Sequence, residues 1–207
     1  MSVVSMLYNL QLMKYAGADG VAAYGVLMYV NYIFIAVFIG YSVGTAPLFG
    51  YNYGAQKIDR LMRVLNLSII AATGIMVTGW LIAMFLPYYC ARMFTTDKAL
   101  IELGIKAIRI VMCCFPIIGF QMVITNFFQC IGKVKISIFL SLSRQLLILL
   151  PLLGLLPLFW DIEGVWYSMP ISDFSAAVIA AIVMSWYMKK LKRMHRENLL
   201  QQEMTEG

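Results

Sequence analysis

Val64-Leu-Asn-Leu-Ser-Ile-Ile-Ala-Ala-Thr-Gly-Ile-Met-Val-Thr-Gly-Trp-Leu-Ile-Ala-Met-Phe-Leu86 carries no charged side chain and ends at Pro87. About 20 apolar residues in a helix cover a hydrocarbon core of roughly 30 Å, so this stretch reads as a membrane-spanning helix. Four more runs of this kind surround it, at about 21–46, 107–130, 137–159 and 165–188. In lipid every backbone N–H and C=O must be paired internally, which leaves helices or closed barrels, and the two-residue alternation of barrel strands is absent. The bulk composition agrees: 62% of the 207 residues are hydrophobic, 13% are charged, and the mean hydropathy is +0.82. The expected fold is therefore an all-α, polytopic transmembrane bundle.

The opening segment, Ser2 to Met13, is apolar but spans only about 18 Å at 1.5 Å per residue, so it is expected to be a partial helix. A secretory signal is the rival reading, against which stand the missing basic residue ahead of the apolar stretch and Lys14 after it. Gly17, Asp19 and Gly20 supply turn chemistry before the next helix. That helix holds Gly40 and Gly44, a spacing that suits close approach by another helix. Pro47 is expected to interrupt it, and the stretch Gln56 to Leu65 to form a short interfacial elbow. Thr96 or Asp97 is a candidate N-cap for an amphipathic stretch, Lys98 to Arg109, that should run unbroken into the following helix. The expected organisation is a lobe over 1–188, with helices at about 1–13 (partial), 21–46, 64–87, 98–130, 137–159 and 165–188, and a basic tail over 189–207 reading as a solvated helix extension that frays.

The net charge of +6 is not gathered into a nucleic-acid-binding patch. Ten basic residues fall at one end of the bundle: Lys57, Arg60, Arg63, Lys133, Lys135, Lys189, Lys190, Lys192, Arg193 and Arg196. Five lie on the opposite links, Lys14, Arg92, Lys98, Lys106 and Arg109, matched there by Asp19, Asp97, Glu102, Asp161 and Glu163. The positive-inside rule then puts the tail in the cytoplasm, and the resemblance described next implies the cell membrane. Cys90, Cys113, Cys114 and Cys130 have no ligand spacing with the single histidine, His195, so they read as packing residues and no metal site is expected. No nucleophile with a base and no catalytic carboxylate pair can be assembled, which argues against an enzyme.

Several local patterns then fall in one order. They are Gly44-Thr45-Ala46-Pro47 through Gly54-Ala55; Phe127-Phe128-Gln129-Cys130-Ile131-Gly132-Lys133; Leu142-Ser143-Arg144-Gln145 with Pro151 beyond; and Gly164-Val165-Trp166 followed by Pro170-Ile171-Ser172-Asp173. In this arrangement the chain resembles the second six-helix lobe of the multidrug and toxic compound extrusion (MATE) family. The resemblance implies a secondary antiporter that exports drugs or organic cations, with two lobes enclosing a central cleft, of which this chain supplies one. It implies a small amphiphilic or cationic substrate, a proton or sodium ion as the coupling ion, no further cofactor, and a missing N-terminal lobe or a homodimer partner. A lipid-linked precursor flippase of the same superfamily and a truncated membrane protein without transport activity are the alternatives. Some family members carry cation-binding carboxylates in the first and fourth helices of this lobe. Here Ser2 to Met13 and Ile110 to Ile131 contain no Asp or Glu, so the coupling ion has no assigned site.

Within the hydrocarbon region the deepest ionisable residues are Arg144 and Asp173, the leading candidates for substrate or ion binding. Each costs roughly 2.5–3.5 kcal/mol to insert near a helix centre, so lipid-facing placement is disfavoured and pairing across the fifth and sixth helices is expected. Gln121, Thr125 and Gln129 recur at i, i+4, i+8 and mark one polar face that should look into the bundle or the cleft. Asn126 and Asn31 are further candidates. Pro116 and Pro47 are candidate hinges, since each removes a helix hydrogen bond.

Overall fold

The computed structural model describes the backbone of residues 3–206 and the side chains of 3–193 and Arg196. The single histidine, His195, has its side chain outside the described residues. Among the described residues there are eight α-helices: α1 (Val3–Gly54), α2 (Ile58–Phe85), α3 (Pro87–Arg92), α4 (Lys98–Val111), α5 (Phe115–Cys130), α6 (Val134–Leu142), α7 (Leu150–Leu155) and α8 (Pro157–Glu206). A 3-10 turn, Met112–Cys114, joins α4 to α5, and a π-helical turn, Ser143–Leu149, joins α6 to α7. By length and composition five stretches can each cross a membrane: Val3–Gly54, Ile58–Phe85, Lys98–Cys130, Val134–Leu155 and Pro157–Arg193.

The first of these is not straight. Gly17 has φ +62°, ψ −151°, outside helical space, and here the short N-terminal arm folds back on the rest of α1. Only glycine adopts that conformation readily. A methyl group at Gly20 would run into Ala16 and the Leu12 carbonyl, so the hairpin also needs a bare backbone there. Tyr8 and Leu12 from the arm are fully buried, and Tyr8 stacks on Tyr24 at 5.1 Å. Asp19, by contrast, is helical.

Three sequence expectations about α1 and α2 need correction. Pro47 does not end the helix, which runs on to Gly54. Its last turns are held by Phe49, fully buried with its ring 5.4 Å edge-on from Phe127, and by Asn52, which donates to the Leu48 carbonyl at 2.8 Å. The loss of one N–H is outweighed by that anchoring. The separate elbow at 56–65 is likewise absent, because α2 starts at Ile58 and continues without a break. The turn is only three residues long: Lys57 donates to the Asn52 carbonyl at 3.0 Å and Gln56 to that of Tyr53 at 3.1 Å, with Gln56 at φ +53°. This is a Schellman-type helix end. The next turn at the same end repeats it, with Lys133 donating to Phe128 at 2.8 Å, Gly132 to Gln129 at 3.2 Å, and Gly132 at φ +75°. Thirdly, Gly40 and Gly44 are exposed, and an added methyl group would meet nothing within 4 Å at either position. Among the described residues no helix packs against them.

Close backbone approach occurs instead at Gly79, against the Phe34 ring, and at Gly119, where a Cβ would lie 3.1 Å from the Ala72 carbonyl oxygen. Gly119 lets α5 pack on α2 at the centre of the lobe. At the opposite end Asp97 caps α4 by accepting from the Ala99 N–H at 3.0 Å. The amphipathic stretch does not flow smoothly onward, because the 3-10 turn tightens it just ahead of Pro116, the second residue of α5. Proline is tolerated in a first turn, where its missing N–H has no intrahelical partner to lose. Within Pro157–Glu206 the helix breaks at Trp160 and Asp161, the latter at φ +44°. That break returns the chain into the bundle.

Candidate functional site

A cleft of about 280 Å³ opens on one side of the lobe between α1, α5 and the α6–π segment. Its α5 wall carries Gln121, Met122, Thr125, Asn126 and Gln129. The three residues of the polar stripe thus share the cleft, as their helical spacing requires. Gln121 is buried, and its Nε2 donates to Thr125 Oγ1 at 3.4 Å while Thr125 Oγ1 donates back to the Gln121 carbonyl at 3.0 Å. Asn126 Oδ1 accepts a weak bond from Cys130 Sγ at 3.6 Å.

The facing wall is Ser141, Arg144 and Gln145, with Phe38 and Ser42 of α1 closing the back. Arg144 lies in the π turn, where the backbone ladder is widened by one residue. Pro151 disturbs the ladder here, since it has no N–H to give and its ring crowds the carbonyl one turn earlier. Ser143 Oγ donates to the Phe139 carbonyl at 2.6 Å, and Ser172 Oγ of α8 donates to the Arg144 carbonyl at 2.9 Å. Both hydroxyls therefore bond carbonyls in or beside the widened turn, that of Phe139 in addition to its regular bond from the Ser143 N–H.

Arg144 Nε bonds Asp173 Oδ1 at 2.8 Å. The pairing expected across the fifth and sixth helices is present, and the two partners differ in access. The Arg144 side chain is 30% exposed and reaches the cleft, whereas that of Asp173 is 7% exposed and sits behind it. An anion and a guanidinium this close form a charge-assisted bond, the form in which a buried carboxylate is best compensated. Next to Asp173 on α8, Ser168 donates to the Val165 carbonyl at 2.7 Å and exchanges a short hydrogen bond with the Tyr8 hydroxyl. The N-terminal arm is thereby tied to the same helix as Asp173.

Asn31 is half-buried on α1 and is not among the cleft-lining residues, nor are Pro47 and Pro116. Sequence reasoning missed Phe38, Ser42, Met122, Ser141 and Gln145 as lining residues. A signal existed for two of them: Ser141 lies three residues before Arg144, on its face, and Gln145 belongs to the Leu142-Ser143-Arg144-Gln145 motif. All four cysteines are free.

Comparison with known proteins places this architecture. The MatE family model matches residues 1–153. The multidrug export protein MepA of Staphylococcus aureus (strain N315) is 24% identical over 184 residues, covering 88% of this chain and 40% of its own length. MepA of Staphylococcus haemolyticus (strain JCSC1435) is 22% identical over 183 residues with the same coverage, 88% and 40%. The chain thus spans about 40% of the length of these curated relatives. Among solved structures, a MATE protein crystallised in complex with MaL6 superposes with a TM-score of 0.86 at 21% identity, over 93% of this chain and 44% of that one. The outward-facing form of a multidrug resistance MATE family transporter of the MOP superfamily gives 0.85 at 20% identity, over 92% and 43%. At such identity the superpositions establish the fold, one lobe of a chain about twice as long.

Proposed function

The chain is a multi-pass membrane protein that belongs to the MatE family, and on that footing we propose that it forms one wall of a secondary active transporter exporting drugs or organic cations. The observation that carries this reading is the polar cleft walled by Gln121, Thr125, Gln129 and Arg144, with Arg144 bonded at 2.8 Å to a carboxylate buried behind it. Polar groups in a span are costly unless they serve a pathway or a partner. Alternating access needs two bundles moving about a shared site, so the opposite wall comes from a second lobe; the relatives, of which this chain matches about 40%, are long enough to contain one.

Within this wall Asp173 neutralises Arg144, so the amides and hydroxyls of α5 contact the substrate while its charge is balanced chiefly by the opposite lobe. Coupling follows from the shared bond. A proton or sodium ion taken up by Asp173 releases Arg144 toward the cleft, and Arg144 returning to Asp173 expels that cation. The 3-10 turn Met112–Cys114, just ahead of Pro116, is the hinge of this lobe. The basic end of the bundle, with the tail, faces the cytoplasm.

The test is drug efflux from cells or vesicles carrying this chain together with a matching first lobe. Efflux driven by an imposed proton or sodium gradient, lost on Asp173→Asn, is expected. Undiminished gradient-driven efflux in Asp173→Asn would overturn the coupling, and efflux from this chain as a strict monomer would overturn the one-wall reading.

A further inference from the structure

A second groove lies on the outside of the lobe between α6 and α8, away from the cleft. It measures about 410 Å³ and is lined by Lys135, Ile136, Phe139, Ile182, Val183 and Trp186. Its floor is almost wholly hydrocarbon, and its larger side chains remain open to the surroundings: Phe139 is 51% exposed, Ile182 64% and Trp186 60%. Helical spacing puts Ile182, Trp186 and Lys190 on one face of α8. Lys190 Nζ stands 5.9 Å from the centre of the Trp186 ring, and Lys135 sits at the matching end of α6. The result is an apolar trough closed at one end by an indole and two ammonium groups. Among the described residues neither lysine has a carboxylate partner.

We propose that this groove is a binding site for an anionic phospholipid, whose acyl chain fills the trough and whose phosphate is held by Lys135 and Lys190. The chemistry is complementary at both ends. A hydrocarbon chain covers the exposed Ile182, Phe139 and Trp186 surface, and Trp186 stands at the depth where indole rings favour the membrane interface. Two ammonium groups at that level attract a headgroup with net negative charge and gain little from a zwitterionic one, whose own cation competes. The cation–π contact holds Lys190 over Trp186 and so positions it at the mouth of the trough. Nothing in this assignment depends on transport.

The full chain reconstituted in vesicles tests it through tryptophan fluorescence, with lipids brominated on the acyl chains as quenchers. Subtracting the quenching of Trp186→Phe isolates the contribution of Trp186. Brominated phosphatidylglycerol should quench that contribution at roughly tenfold lower mole fraction than brominated phosphatidylcholine, given that each basic residue near the surface attracts anionic lipid severalfold. The double variant Lys135→Gln/Lys190→Gln should bring the two lipids within about twofold, while Lys135→Arg/Lys190→Arg, which keeps the charge, retains the preference. Lys98→Gln/Lys106→Gln, at the other end of the bundle, should leave it unchanged. Equal quenching by both lipids in the unmodified chain, or a preference that survives removal of both lysines, overturns the proposal.

Discussion

Arg144 exposes its guanidinium to the cleft while Asp173 is enclosed by α8 and its neighbours, so removing either charge has unequal consequences. Asp173→Asn leaves an arginine that can turn toward water in the cleft, whereas Arg144→Gln leaves a carboxylate with no such escape. We expect Arg144→Gln to be the more damaging change, and the double variant to be milder than the sum. The coupling energy should be about 1–3 kcal/mol in a double-mutant cycle on unfolding in detergent, the range for contacting charged groups. Additivity within about 0.5 kcal/mol would mean that the ion pair adds nothing. These two residues were legible in the sequence because charges in an apolar run demand partners. Ser172, Ser168 and Tyr8 were not, since neutral hydroxyls are ordinary in membrane helices and spacing alone does not show which carbonyl or phenol each will meet. A further case is Trp80, whose Nε1 is buried with no hydrogen-bond partner among the described residues. Trp80→Phe removes that orphaned donor, and the relief of about 1 kcal/mol should offset the lost ring contacts and leave the thermal midpoint unchanged.

Helix ends and interruptions divide by what caused them. The break at Gly17, the cap at Asp97 and the turn at Gly132 were written in residue type, because each uses chemistry that few side chains provide. The continuation of α1 through Pro47 was not, as it depends on Phe49 finding Phe127 from a helix about 80 residues away. The π turn was hidden for a related reason: Pro151 announces a disturbance, but whether it kinks the helix or widens it is decided by Ser172 reaching the Arg144 carbonyl from α8. Glycines show the same division. Gly119 sits against the Ala72 carbonyl and Met76, so Gly119→Val should destabilise the lobe by about 1–3 kcal/mol, the usual cost of forcing volume into a packed contact. Gly40→Leu and Gly44→Leu meet open space, so they should leave thermal unfolding of this chain in detergent unchanged. A drop in midpoint for either, comparable to that of Gly119→Val, would show that their face of α1 is packed after all.

At the scale of the molecule the spans and the all-α bundle follow from hydropathy and length, which is why they were readable from composition and pattern, whereas the one-lobe architecture was legible only through the motifs that resemble the family's second lobe. Orientation rests on charge. With Lys192→Cys and Glu163→Cys as single reporters, a membrane-impermeant maleimide applied from outside intact cells should label Glu163→Cys and spare Lys192→Cys; the reverse pattern would invert the topology. The native Cys90, on the short α3, gives little background, because its partial burial pushes the thiol above its usual pKa and leaves it little thiolate at neutral pH. That basic end has another property. Phe49, Phe127 and Phe128 are fully buried there, the last two standing edge-on to Tyr187 at 6.4 and 5.1 Å, and the Tyr53 and Tyr187 hydroxyls meet at 3.4 Å above them. Four aromatic rings stacked edge to face close this end of the lobe like a cork, while the cleft opens on its flank. Under hydroxyl-radical footprinting in a bilayer, Phe127 and Phe128 should stay unmodified while Met122 in the cleft and Met93 on the distal link are oxidised, a gradient of wetness running along a single bundle.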